Sequence, residues 1–343
     1  MNILACDLGG TKVLLGIYSE NSKTKAPNLI LKKKYSSSEW DSFYSILDDF
    51  ILTECKNKIP STACLAIAGA IKNNSAKITN LNWEISHKYL KRKYNFQNLE
   101  LINDFSVLIY GIPFISNNQY AIIQQGNKLL ESNNKLHAVI GAGTGLGVAR
   151  GIIDADKISV LSSEGGHSEF SPRSTEEWEL KEWLQKYLNL ERVSSERVIS
   201  GDGLYLIAKW RFSKSDLRNH PFQKILNDSD ASILLRKDIP AMICKMSKGG
   251  DKLMIDIEKL WFNAYASFIG DIAIHELCYG GLWIAGGTAP KHFKNFLTKS
   301  FLKQFSNKGR LKDIVNSIPV KVILDEEFGL HSSACRAKLL LKN

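Results

Sequence analysis

The opening of the chain narrows the fold most. A strand-like apolar run at residues 3–8 leads into Asp7-Leu8-Gly9-Gly10-Thr11-Lys12, and a second strand-like run at 13–18 follows at once. The glycines therefore sit in a tight strand-to-strand turn and do not open a helix. That setting excludes the Walker loop and the dinucleotide fingerprint, both of which need strand, glycines and then helix. Two adjacent glycines leave backbone N–H groups without side-chain cover, as a phosphate requires, while Asp7 can hold a hydrated Mg²⁺ and Thr11 can donate its hydroxyl. The same run also suits a plain glycine hairpin closed by an Asx turn.

The pattern continues with a third strand at 29–35 and an amphipathic stretch at 40–55, where Phe43, Ile46, Leu47, Phe50 and Ile51 recur at helical spacing. Three strands and then a helix imply a mixed sheet with one covered face. An apolar run at 63–71, a polar segment at 80–83, a helix at 85–94 and a strand at 99–103 complete one α/β unit of roughly a hundred residues. A second unit opens with strands at 121–123, 136–140, 148–153 and 158–161. Helices are then expected at 176–187, 196–212, 231–247 and 255–277, and strands at 282–285 and 320–324 precede a last amphipathic segment after His331. No short-period repeat or low-complexity segment interrupts this order.

Composition excludes several classes of function. With 343 residues, 44% of them hydrophobic, the chain can bury a sizeable core. The net charge of +10 is spread along the chain, dense only at 32–34 and 88–93, which reads as solvated faces and not as a nucleic-acid surface. The most apolar region, 261–287, is broken by Asp271, His275 and Glu276, and the N-terminus has no export signal, so a cytoplasmic protein that does not enter a membrane is expected. The cysteines Cys6, Cys55, Cys64, Cys244, Cys278 and Cys335 lack the spacing of a zinc knuckle or redox pair and read as reduced packing residues.

Further candidate site residues lie in loops. Gly141-Ala142-Gly143-Thr144-Gly145-Leu146-Gly147 stands between β-branched apolar runs, as a second phosphate-contacting hairpin or a structural glycine turn. Gly286 and Gly287 follow a strand and precede a helix near Lys291; there a flat purine or ribose can lie on bare backbone, or helix and strand can pack closely. Asn103-Asp104 ends a strand, where ligand chemistry in open α/β sheets concentrates, though such a pair also caps turns. Glu164-Gly165-Gly166-His167 suits a loop around a small polar ligand. Glu196 fits either that ligand or the first turn of a helix.

Taken in order, these stretches resemble the bacterial glucokinase family over essentially the whole chain. The carrying residues are those at 7–11, 66–70, 79–83, 101–105, 141–147, 164–170, 193–201, 284–290 and 318–322. The resemblance implies an α/β, two-domain actin-like ATPase (ribonuclease H-like) fold with an interdomain cleft. A small domain at 1–114, completed by a helix at about 328–343, would face a large domain with helical insertions at 115–327. It implies a kinase that phosphorylates the 6-hydroxyl of glucose from ATP with Mg²⁺, and a homodimer. Asp104, with an unperturbed pKa of about 3.9, would be the base; Asn80, Asn103, Glu164, His167 and Glu196 would hold the sugar. Asp7, Gly9, Gly10, Thr11, Lys12, Gly143, Thr144, Gly145, Gly286 and Gly287 would meet the nucleotide, with Asp7 reaching Mg²⁺ through water.

Departures from the family pattern fall on the nucleotide side. Phe328-Gly329-Leu330-His331-Ser332-Ser333 is less glycine-rich than usual, and Lys12 and Thr288 are variant choices. The clustered Cys and His motif of the ROK kinases and repressors is missing, and a DNA-binding segment before Asp7 is not expected. A kinase for another hexose and a catalytically silent sugar sensor stand as alternatives on the same fold.

Overall fold

The computed structural model describes residues 1–20, 26–56, 59–78, 81–155, 157–214, 220–229 and 233–341. The chain divides into two compact units, Met1–Tyr120 with Ala149–Ser162 and Asp325–Asn343, and Ala121–Val148 with Ser163–Leu324.

In the first unit, β1 (Asn2–Leu8), β2 (Lys12–Ser19), β3 (Asn28–Ser36), β4 (Thr62–Ile67) and a strand at Asn98–Asn103 form one sheet. The first three pair antiparallel as β3-β2-β1, and parallel strands β4 and Asn98–Asn103 extend the other side. Alternation along β1 sorts its side chains by face. Leu4, Cys6 and Leu8 pack with Phe43, Ile46, Leu47 and Phe50 of the helix Phe43–Thr53. That helix starts where Ser42 Oγ accepts the Ser45 N–H at 3.2 Å, three residues later than the apolar periodicity suggests.

The opposite face, which carries Asp7, meets the helix Phe328–Leu340. The Ser333 hydroxyl donates to Cys6 O at 2.9 Å, and Arg336 pairs with Glu100 at 2.7 Å. A short helix, Leu108–Gly111, crosses here at glycine, because a Cβ on Gly111 would lie 2.1 Å from Ser332 Oγ. Residues 149–162, placed with the second unit by the sequence pattern, group with this one. A Cβ on Gly151 would come within 2.6 Å of Ile109 Cγ2.

A small antiparallel sheet of β5 (Ile71–Lys72), β6 (Ser75–Ile78) and β7 (Trp83–Ser86) follows β4, and its last strand takes the end of the expected polar segment and the start of the expected helix. The helix is only His87–Lys93, because Ser86 caps it. Continuing the numbering, Asn98–Asn103 is β8.

The second unit contains β9 (Tyr120–Gln124), β10 (Leu136–Ala142), the start of β11 (Leu146–Asp154), and two later strands at Gly281–Ile284 and Val320–Ile323. β12 (Lys157–Leu161) pairs antiparallel with the far end of β11. The two later strands, β13 and β14, run parallel to β10 in the order β10-β13-β14-β9. Helices Gly201–Lys214 and Ile233–Lys248 pack on the long helix Lys252–Glu276, with Thr175–Leu188 against the first and Pro221–Ser229 against the second. Trp261, Tyr265 and Ile269 of that helix lie in the core. Among the described residues, no helix is long and apolar enough to cross a membrane, and all six cysteines are free.

Candidate active site

The first unit supplies one set of functional groups along a single sheet edge. Leu8 of β1 pairs with Ile67 of β4, and Ile67 pairs with Asn103 of β8, all in parallel. Adjacent strands are about 4.8 Å apart, so the carboxyl ends of β1 and β8 stand about 10 Å apart on the same edge. Asp7 and Asp104 flank those ends.

Asn103 builds the turn that presents Asp104. Its Oδ1 accepts the N–H groups of Phe105 at 3.0 Å and Ser106 at 3.1 Å, while its Nδ2 donates to Asp104 Oδ1 at 3.0 Å and to Gly69 O at 3.4 Å. Phe105 N–H also donates to Asp104 Oδ1, at 3.1 Å. Burial, then the charge of Asp7, pushes Asp104 up to about 7, against the pull of these donors. Asp104 is thus a far better proton acceptor near neutrality than its unperturbed value implies.

Asp7 is itself raised, by burial, with Lys12 opposing. No donor among the described residues hydrogen-bonds its carboxylate. A Cβ on Gly329, in the first turn of the helix Phe328–Leu340, would lie 2.7 Å from Asp7 Oδ2. A hard, oxygen-only donor with free lone pairs, beside an open glycine turn, fits a hydrated Mg²⁺.

The turn after β1 is closed by Gly9 N–H donating to Lys12 O at 3.0 Å, and Ser37 N–H braces it by donating to Thr11 O at 3.1 Å. A Cβ on Gly9 would meet a single atom, Lys12 O, at 3.4 Å, and Gly9 does not have positive φ. The fold does not demand glycine there. Bare backbone open to a ligand is what the residue provides, and Gly10 and the exposed Thr11 continue that surface.

The second unit brings together residues that the sequence separates. Glu196 lies in a 3-10 turn, Ser195–Arg197, distinct from the helix beginning at Gly201, and so is not a first-turn acid of that helix. Its Oε2 accepts Leu146 N–H at 2.9 Å, within the glycine loop. A Cβ on Gly145 would come 2.6 Å from the same oxygen, and one on Gly166 would lie 1.9 Å from Leu146 O. The glycines at 145 and 166 therefore permit close packing of three loops. Gly143 is different, with nothing within 4 Å of a would-be Cβ, and Thr144 is exposed at the loop tip.

His167 stands between two carboxylates, with Nε2 3.9 Å from Glu164 Oε2 and Nδ1 3.9 Å from Glu196 Oε1. These separations exceed hydrogen-bond length, so the three groups keep directed valences for a ligand. Glu164 and His167 are exposed and Glu196 is half-buried.

The third turn leans on the second. Thr288 Oγ1 donates to Ala142 O, Ala289 N–H closes the turn on Gly286 O at 3.0 Å, and Gly286 has φ +87°. Gly287 has nothing within 4 Å of a would-be Cβ. Asn80 lies outside the described residues. Leu146, Ser37 and Gly329 carry no chemical signature in the sequence: two act through backbone groups and the third through a missing side chain.

The order β3-β2-β1-β4-β8, with a carboxylate and a bare turn at the ends of its parallel strands, defines an actin-like ATPase fold of the kind that sugar kinases use. A glucokinase family model matches residues 4–339. A glucokinase of Trichormus variabilis is 34% identical, covering 98% of this chain and 99% of its own. The crystal structure of a glucokinase from an Antarctic psychrotroph, 27% identical, superposes with TM-score 0.76 over 98% of this chain and 99% of its own. A ROK-family glucokinase from Streptomyces griseus, solved with glucose and AMPPNP, shares the fold at 17% identity and TM-score 0.63, covering 99% of this chain and 100% of its own. The chain belongs to the glucokinase family.

Proposed function

We propose that this chain transfers the γ-phosphoryl group of ATP to the 6-hydroxyl of glucose. The observation that carries the reading is Asp104, a carboxylate pushed up to about 7 on the same sheet edge as Asp7. The sugar oxygen forms the new bond to phosphorus, its proton passes to Asp104, and ADP leaves. Asn103, through the hydrogen bond to Asp104 Oδ1, leaves Oδ2 for the hydroxyl.

Glu164, His167 and Glu196 hold the remaining hydroxyls, and Asn80 is assigned to the same task. Glucose is neutral, so recognition rests on paired donors and acceptors, and a sugar lacking one hydroxyl leaves a site group unpaired. Leu146 N–H fixes Glu196 from the glycine loop, which couples sugar recognition to the loop of Gly143, Thr144 and Gly145. The phosphates lie on the bare backbone of Gly9, Gly10 and Gly143, with Thr11 and Lys12 beside them and the nucleoside on Gly286 and Gly287.

Asp7 would hold Mg²⁺ through water; the ion supplies charge neutralisation on the transferred phosphate. The nucleotide and sugar named for the Streptomyces griseus structure support this choice of substrates. A cytoplasmic homodimer whose two domains close on glucose completes the reading.

A coupled ADP-release assay over glucose, mannose, fructose and glucosamine tests it. ADP release with glucose at least tenfold faster than with the others is expected, and Asp104→Asn cuts it by about 10²–10⁴. Glucose binding without ADP release in the wild-type chain would refute the reading in favour of a sensor.

A further inference from the structure

A second cluster of ligating side chains stands among the helices of the second unit. Cys244 lies in the helix Ile233–Lys248, Glu258 in Lys252–Glu276, and His292 immediately before the short helix Phe293–Phe296. One ligand atom from each lies within 4.8 Å of the other two. His292 Nε2 is 3.9 Å from Cys244 Sγ, and its Nδ1 is 3.5 Å from Glu258 Oε1. Nothing in the proposed reaction uses these residues.

We propose that Cys244, Glu258 and His292 bind one divalent transition-metal ion of the zinc type. Zinc holds sulfur at about 2.3 Å and nitrogen or oxygen at about 2.0–2.2 Å, so tetrahedral ligands sit roughly 3.3–3.6 Å apart. The 3.5 Å and 3.9 Å separations belong to different nitrogens of the His292 ring, of which an ion takes one; with one atom from each residue within 4.8 Å of the other two, a turn of the imidazole and an approach of about an ångström by the third ligand close the set onto an ion. Three protein ligands leave the fourth position to water.

The surroundings are those of a built site. Ser247 Oγ donates to Glu258 Oε2 at 2.5 Å and Asn295 Nδ2 donates to Oε1 at 3.4 Å, so the carboxylate is oriented from outside. Phe262 packs edge-on against the His292 ring at 5.2 Å. The side chains of His292 and Glu258 are only 14% and 11% exposed, shielded yet reachable. A mixed sulfur, nitrogen and oxygen set favours a borderline-soft ion and disfavours Mg²⁺, so the ion that accompanies ATP does not fill it.

The site also has a structural consequence. His292 N–H donates to Thr288 O at 3.1 Å, and Thr288 in turn donates to Ala142 O. An ion here would pin two helices to the turn of Gly286 and Gly287 and, through Thr288, to the glycine loop.

Chelator-stripped full-length protein titrated with Co²⁺ tests the proposal. One ion per chain is expected, with a thiolate-to-cobalt charge-transfer band, displaced by equimolar Zn²⁺ and untouched by a hundredfold excess of Mg²⁺. Cys244→Ser should abolish the band, Glu258→Gln should weaken binding at least tenfold while keeping it, and Cys55→Ser, at the other half-buried cysteine, should leave it intact. Thermal melts of the metal-free variants establish that each folds. No band in the wild-type chain, or a band that survives Cys244→Ser, overturns the assignment.

Discussion

Replacing Asp104 by Asn should make the folded chain more stable while removing its activity. The carboxyl is pushed up to about 7 from an ordinary value near 3.9, a difference of about 4 kcal/mol when the group is ionised. The side chain is partly exposed, so water and relaxation recover about half of this, leaving roughly 2 kcal/mol. In a chain of 343 residues, with an unfolding entropy of about 0.7 kcal/mol/K, that is worth about 3 °C in melting temperature. Asparagine keeps an oxygen to accept from Phe105 N–H and carries no charge to desolvate.

The pH dependence follows from the raised value. The folded form holds the proton up to about pH 7, whereas the unfolded chain releases it near pH 4, so the unfolded state binds fewer protons in between. Wild-type stability conferred by the neutral acid is therefore lost as pH rises through that window. The melting temperature of the variant minus that of the wild type should be near zero at pH 4, grow to pH 7, and stay level above it. Calorimetry of both ligand-free proteins from pH 4 to 8 reads this directly. A difference that is flat with pH, or that favours the wild type at pH 8, would refute the electrostatic account. Turnover of the variant should fall by about 10²–10⁴, and wild-type kcat/KM should decline as pH drops below about 7.

Gly145→Ala pushes a methyl group into Glu196 Oε2, 2.6 Å away, and should raise KM for glucose about tenfold or more; Gly143→Ala, with open space around it, should leave the melting temperature unchanged and raise KM for ATP in steady-state kinetics. Gly329→Ala, whose Cβ would lie 2.7 Å from Asp7 Oδ2, should raise the Mg²⁺ concentration needed for half-maximal rate, read by titrating Mg²⁺ at fixed ATP. Small-angle scattering should show a smaller radius of gyration with saturating glucose than without it; identical curves would count against closure.

Much of the frame was legible in the sequence because it rests on long, regular signals. The strand-turn-strand start, the amphipathic helix after β3 and the strand ending at Asn103 are set by hydrophobic period and glycine placement, and the structure has each of them. The sheet of β5, β6 and β7 was not, since strands of two to four residues contain too few side chains to display a period. Glu196 stayed open between a ligand contact and the first turn of a helix because its partner is a backbone N–H fifty residues away, which no side-chain pattern records. Asp104 was singled out by its place at a strand end, but its affinity for protons depends on burial and on Asp7, which only three-dimensional packing determines.

The long helix Lys252–Glu276 reaches the loops around it through two aromatic side chains: the Tyr265 hydroxyl receives Ala142 N–H at 3.2 Å, and the Trp261 indole donates to Ser200 O at 3.0 Å. Both contacts are buried, so the interior of this unit doubles as a jig for a surface loop. Substitutions selected there for tighter packing would therefore be felt first as altered ligand affinity, and adaptation of the protein to a new temperature would have to retune its core and its loop in step.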